Sequence, residues 1–296
     1  MSLTAVRPKI WIMAARPKTL GAAVAPVLTG TAMALDAGVV HALSAVLALL
    51  GAILIQVGVN YHNDYYDYLK GADTDDRVGP TRVTQAGLVD PQTMRRATVA
   101  VFAAAVGAGL YLIVRGGWPV VAIGGASIAA AVAYTAGRYA LAYTGLADLF
   151  VFVFFGPVAV GGTYYVQALT VSPEVLVAGA GPGLLSVGIL LVNNIRDVEE
   201  DRQAEKRTLV VRMGRRAAVG LYAACGGGAL VLPGGLYLWT GQHPWAMTTI
   251  LLAPLLAPPV RTLWTSSDPE TLNPLLGMTG RLLVLWSVLF SVGWNV

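Results

Sequence analysis

Two clusters of carboxylates and carboxamides stand out in this chain. The first runs Gln56-Val-Gly-Val-Asn60-Tyr-His-Asn63-Asp64-Tyr-Tyr-Asp67, followed by Lys70, Asp73, Asp75, Asp76 and Arg77. The second runs Asn193-Asn194-Ile-Arg196-Asp197-Val-Glu199-Glu200-Asp201-Arg202. Residues three and four apart share a helical face. Asn60, Asp64 and Asp67 therefore form one stripe, Asn63 and Asp67 an overlapping one, and Asn193, Asp197 and Asp201 a third. A single Asp at a helix end is ordinary surface decoration. Two clusters, each with Asn one turn before Asp and each continuing an apolar run, mark a site, because ionisable groups against a membrane span are costly. Oxygen donors without His or Cys suit a hard cation such as Mg²⁺, which takes one or two carboxylates and leaves positions for water and phosphate oxygens. Lys70, Arg77, Arg82 and Lys206 are placed to meet the remaining oxygens of a diphosphate, with Arg202 and Arg207 close by; arginine does so bidentately.

The elements that must position these groups are membrane helices. Of 296 residues, 56% are hydrophobic and 12% charged. Soluble domains carry about a quarter charged residues, so this chain lacks the polar surface to face water. Apolar runs recur, each near the ~20 residues that cross a hydrocarbon core as a helix. We place spans at 19–37, 42–62, 96–115, 118–136, 145–168, 175–195, 216–238, 245–263 and 278–295. The run at 19–37 is long enough to be a retained helix rather than a cleaved signal. With the N-terminus inside, every Lys and Arg except Arg115 falls on the inner side, as the positive-inside rule requires. The net charge of +4 is thus accounted for by topology and implies no nucleic-acid partner. Outer connections are short and nearly uncharged. The inner loops, about 63–95 and 196–215, are long and charged, and both clusters sit at this inner face. A single Cys225 excludes an intrachain disulfide. A diphosphate beside a span implies a lipid tail between the helices, hence an isoprenyl diphosphate.

These residues resemble the UbiA superfamily of intramembrane aromatic prenyltransferases. Asn63-Asp64-x-x-Asp67 matches the family's first motif, and Asp197-x-x-x-Asp201 its second. The third acid of the first motif departs: Gly71 stands at its position, with Asp73 two residues later. That departure, with Arg16-Pro-Lys18-Thr-Leu20, Gly79-Pro-Thr-Arg82-Val-Thr-Gln85, Asn193-Asn-Ile-Arg-Asp197 and Lys206-Arg-Thr-Leu209, is similar to the branch acting on 1,4-dihydroxy-2-naphthoate. The resemblance implies one nine-helix, all-α membrane domain over residues 1–296, in the inner (plasma) membrane with a cytoplasmic N-terminus. It implies Mg²⁺ held by Asn63, Asp64, Asp67, Asp73, Asn193, Asp197 and Asp201, with Asp67, Asp197 and Asp201 central to catalysis. The implied substrates are a polyprenyl diphosphate and dihydroxynaphthoate, joined with loss of CO₂ to give demethylmenaquinol. No obligate protein partner is implied beyond the lipid bilayer.

For the acceptor's carboxylate the candidates are Arg16, Lys18 and Arg138, at inner helix ends. Tyr134, Tyr139 and Tyr143 lie nearby, but an interfacial aromatic belt is the better account of tyrosines there. Orientation of the first helix accounts for Arg16 and Lys18 as well as substrate contact does. His62 and Asp148 are further polar groups beside the predicted site. Two competing readings frame the expectation: another aromatic acceptor, such as 4-hydroxybenzoate or homogentisate, or a transporter for Mg²⁺ or an organic anion. The second would require polar groups at midplane, where these spans have almost none.

Overall fold

In the computed structural model, residues 8–69, 82–135 and 140–296 are described, and among them every regular element is a helix. A short α1 (Pro8–Ala15) leads into α2 (Pro17–Asp36) through Arg16, whose backbone is left-handed at φ 50°. The residue before a proline is disfavoured in the right-handed helical region, so the chain bends at Arg16 and Pro17 restarts the helix.

The remaining helices follow in order. They are α3 (Ala42–Leu69), α4 (Pro91–Gly116), α5 (Trp118–Thr135), α6 (Leu141–Thr144), α7 (Ala147–Phe155), α8 (Pro157–Ala168) and α9 (Pro173–Arg196). After them come α10 (Val198–Gln203), α11 (Leu209–Met213), α12 (Arg215–Thr240), a 3-10 segment (Pro244–Leu252), α13 (Ala253–Thr265) and α14 (Pro269–Trp294). Nine spans among the described residues are long and apolar enough to cross a membrane, α7 with α8 and the 3-10 segment with α13 each making one.

The nine expected spans are all present, with some ends displaced. The third begins at Pro91, where the Asp90 carboxylate accepts from the Thr93 amide at 3.1 Å. The ninth begins at Pro269, where Asp268 does the same for Thr271 at 2.9 Å. Asp is a preferred N-cap and Pro a preferred first residue. Hydropathy placed both starts late, because polar residues interrupt the beginnings of these helices. The second span continues to Leu69, which carries Asn63 and Asp67 on helix rather than loop.

Packing divides the bundle. Helix α14 lies against α2 and α9, and α9 against α12, while α3 pairs with α4. The apolar windows of α9 and α5 are 67% and 11% buried, so α9 is central and α5 faces lipid and cavity. The core is anchored by Trp286, Phe290 and Trp294, stacked at 5.0 and 5.1 Å, with the Trp286 indole donating to the Ala229 carbonyl. Small residues permit the close crossings, as is usual in membrane bundles. At the break between α7 and α8, a Cβ on Gly156 would meet the Gly179 carbonyl oxygen at 2.7 Å, so two backbones touch there.

Candidate active site

The helices enclose a cavity of about 1020 Å³ whose walls change character along its length. Arg16, Lys18, Asn60, Asn63, Asp67, Arg82, Asn193, Asp197, Asp201 and Lys206 all line it. So do Leu47, Ala48, Gly51 and Ile55 of α3, and Val120, Ile123 and Gly124 of α5. Leu47 and Asp67 are twenty residues apart on one helix, about 30 Å at 1.5 Å per residue. The chamber is therefore charged at the end where α3 and α9 terminate and apolar away from it. That is unlike the polar midplane path a transporter would need.

The first cluster is held from several sides. Arg82 Nη2 donates to Asp67 Oδ2 at 2.5 Å. Asn63 Oδ1 accepts from the Thr135 hydroxyl at 2.9 Å, and that hydroxyl lies 2.9 Å from His62 Nδ1, which ties the end of α3 to the end of α5. Asn60 Nδ2 donates to the Ala15 carbonyl and the Thr19 hydroxyl, fixing the α1–α2 bend beside the site. Asp64 differs. It is buried and does not line the cavity; its two oxygens accept the backbone amides of Val83 and Thr84 at 3.0 and 2.9 Å.

The second cluster is built around a helix break. Helix α9 ends at Arg196 and Asp197 caps it, yet the i to i+4 bonding continues across the break. The Asp197 amide donates to the Asn193 carbonyl at 3.0 Å, and the Asp201 amide to the Asp197 carbonyl at 2.8 Å. The expected stripe Asn193–Asp197–Asp201 thus survives and all three line the cavity. Arg196 is the clamp. Its guanidinium donates to both oxygens of Asp197 (2.5 and 2.7 Å), to Asn193 Oδ1 (2.9 Å) and to Asn273 Oδ1 of α14 (2.9 Å). Lys206 Nζ lies 3.4 Å from Asp201 Oδ1 and 5.5 Å above the Tyr143 ring. Burial pushes the Asp201 carboxyl up to about 6, against the opposing pull of Lys206. Burial alone would lower the Lys206 ammonium, but Asp201, Tyr143 and Asp67 together hold it above its ordinary value. Lys206 therefore feels both clusters at once.

The structure brings together most of the residues named from sequence. Asn63, Asp67, Arg82, Asn193, Asp197, Asp201, Lys206, Arg16 and Lys18 share the cavity. Lys70, Asp73, Arg77, Arg138 and Tyr139 lie outside the described residues. Asp148 is buried in α7 but does not line the cavity. Tyr134 and Tyr143, which an interfacial belt would have explained, line it instead. Asn273 was missed: it stands 77 residues from Arg196 in sequence, and no local pattern flags it.

The donor set fits a divalent cation in one particular way. Among the described residues no three His, Cys, Asp or Glu side chains form a cage of their own. Two oxygen-rich clusters facing one chamber match the habit of Mg²⁺, which shares a few protein oxygens with substrate phosphates rather than sitting in an all-protein shell.

The chain matches the UbiA prenyltransferase family over residues 23–288. It is 37% identical over 293 residues to the 1,4-dihydroxy-2-naphthoate octaprenyltransferase of Escherichia coli, covering 97% of this chain and 95% of that protein. Against the protein of the same description from Mycobacterium tuberculosis it is 40% identical over 281 residues, covering 94% of each. In fold it is similar to a UbiA homolog from Archaeoglobus fulgidus, with TM-score 0.65, 14% identity and coverage of 97% of this chain and 100% of that one. The structure of a UbiA homolog from that organism bound to GPP and Mg²⁺ superposes with TM-score 0.64 at 14% identity, covering 95% and 99%.

Proposed function

The chain belongs to the UbiA prenyltransferase family, and from that premise we propose that it transfers a polyprenyl group from polyprenyl diphosphate to 1,4-dihydroxy-2-naphthoate. The allylic C–O bond breaks and diphosphate leaves. The ring carbon bearing the carboxylate attacks the allylic cation, and the carboxylate departs as CO₂. The electron pair of the broken C–C bond restores the aromatic ring, giving demethylmenaquinol without net oxidation or reduction. The observation that carries this reading is the single chamber: two acid–amide clusters and Lys206 at one end, apolar walls long enough for a prenyl chain at the other. The near full-length likeness to dihydroxynaphthoate octaprenyltransferases supports the choice of acceptor.

Asn63, Asp67, Asn193, Asp197 and Asp201 would hold Mg²⁺ together with phosphate oxygens, and the ion would supply neutralisation of the charge on the leaving diphosphate. The protein's own side chains do the rest. Arg82 and Lys206 meet phosphate oxygens and exclude water from the charged end. Arg196 holds Asp197, Asn193 and Asn273 in one orientation. Arg16 and Lys18 receive the acceptor's carboxylate, with Tyr134 and Tyr143 as walls. Lys70, Asp73, Arg77 and Arg138 remain candidates for the same ring of groups. The bias of Lys and Arg supports a cytoplasmic charged end with the N-terminus inside, in a protein of the inner (plasma) membrane.

The test is incubation of the detergent-solubilised protein with a polyprenyl diphosphate and dihydroxynaphthoate, with lipid extracts read by mass spectrometry. Prenylated, decarboxylated naphthoquinol is expected. Prenylation of 4-hydroxybenzoate in its place would keep the family and discard the acceptor.

A further inference from the structure

Asp64 stands inside the first acidic motif yet behaves unlike its neighbours. Its side chain is sealed from solvent and from the chamber, and both oxygens are committed to backbone amides 19 and 20 residues ahead. A carboxylate accepting two buried backbone N–H bonds is a strong local anchor. What it anchors is a compact turn. The amides of Ala86, Gly87 and Leu88 return to the carbonyls of Arg82, Thr84 and Val83 at 2.9, 3.1 and 2.9 Å. Val83 and Val89 are buried with Ala14, Tyr61 and Met94 in a small apolar cluster against α3 and α4. The residue that opens this turn is Arg82, whose guanidinium reaches back to Asp67, one helical turn from Asp64. One stretch of α3 thus holds the turn at two points: Asp64 grips its backbone, and Asp67 receives its side chain.

We propose that Asp64 is a positioning residue that fixes the 82–89 turn and so delivers Arg82 to the diphosphate end of the chamber, and that it is not a metal ligand. This rests on the reading of that end as the diphosphate site. Asp64 does not line the cavity, and both its oxygens face the Val83 and Thr84 amides rather than an ion there. The polar residue beside Asn63 in the motif therefore serves loop geometry, while Asn63 and Asp67 on either side of it face the chamber.

The test compares Asp64→Ala with Asp67→Ala in the full-length, detergent-solubilised protein, using two readouts that involve no turnover. Hydrogen–deuterium exchange follows the peptide containing Val83 and Thr84, and electron paramagnetic resonance titration follows binding of Mn²⁺. Asp64→Ala is expected to speed exchange of these amides about tenfold or more and to leave Mn²⁺ affinity within a few-fold of native. Asp67→Ala is expected to weaken Mn²⁺ about tenfold or more with the turn still protected. Unchanged exchange in Asp64→Ala overturns the proposal, and so does a loss of Mn²⁺ affinity equal to that of Asp67→Ala. Where Asp64→Ala does not fold, Asp64→Asn, which keeps one accepting oxygen, is judged by the same two criteria. In the kinetic arm, Asp64→Ala/Arg82→Ala is expected to raise KM for polyprenyl diphosphate no further than Arg82→Ala alone; additive effects overturn the route through Arg82. Failure of prenyl transfer itself would show as no turnover in the native protein and leave the exchange result standing.

Discussion

Arg82 and Asp67, fifteen residues apart in sequence, are joined by a 2.5 Å bond, with side chains only 9% and 11% exposed. On the proposed reading Arg82 also receives a phosphate oxygen, since the same fork of N–H groups serves either anion. Arg82→Ala is expected to raise KM for polyprenyl diphosphate and lower kcat/KM about 10²-fold, the loss of one strong charge-assisted contact. Arg82→Lys is expected to recover little, because a point charge does not reproduce the fork. Steady-state kinetics with varied diphosphate at saturating acceptor decides it, and a change confined to the acceptor's KM would count against this placement.

Asp197 and Asp201 are one turn apart but differ in what they hold. Arg196 beside Asp197 has no solvent-exposed side-chain surface, whereas Lys206 beside Asp201 keeps 22%. Breaking a buried pair by removing one partner leaves an uncompensated charge and costs about 3–5 kcal/mol. Asp197→Ala is therefore expected to lower the thermal unfolding temperature as well as abolish turnover. Asp201→Asn is expected to lose turnover with little change in unfolding temperature. Unfolding measured by intrinsic tryptophan fluorescence in detergent separates the two, and equal destabilisation would contradict the difference in burial.

How far the sequence carried can be judged from particular residues. Span length and the placement of Lys and Arg depend on local composition, so nine crossings and one charged face could be read directly. The i, i+4 spacing of Asn193, Asp197 and Asp201 also survived, because hydrogen bonding continues over the break at Asp197. Asp64 shows the limit. Its spacing puts it on the stripe of Asn60 and Asp67, but only the turn at Val83 and Thr84 turns its oxygens away from the chamber. Asn273 was equally hidden, since its bond to Arg196 depends on how α14 packs against α9. The bend at Arg16 could be guessed from the following proline, but not that Asn60 would secure it.

Metal removal is expected to stop the reaction while sparing the fold. Asp67, Asp197 and Asp201 are each already paired with Arg82, Arg196 or Lys206, so the bundle does not need an ion to balance its acids. Excess chelator is expected to abolish product and to leave the unfolding temperature within about 2 °C, whereas a structural ion would carry folding free energy. Added Mg²⁺ is expected to restore turnover fully. Irreversible loss after chelation would point to a structural ion.

The apolar part of the chamber makes a last, separable claim. Gly124 and Gly125 of α5 line it, and a Cβ built at either meets no other atom within 4 Å. A larger side chain there fills space instead of colliding, and replacing a helical glycine removes a conformational penalty of about 0.5–1 kcal/mol relative to alanine. Gly125→Phe is thus expected to fold at least as well as the native protein. Its ring would occupy the room that a long prenyl tail needs, while the acid-lined end stays unchanged. The expected result is a fall of about tenfold or more in kcat/KM for a long polyprenyl diphosphate, the scale of discrimination a hydrophobic pocket achieves by size. Turnover of geranyl diphosphate is expected to stay near native. Paired assays with the two donors read the difference directly. Loss for neither donor would mean that the tail leaves the charged end by another route, between helices rather than along α5. Equal loss for both would mean that the ring disturbs the charged end.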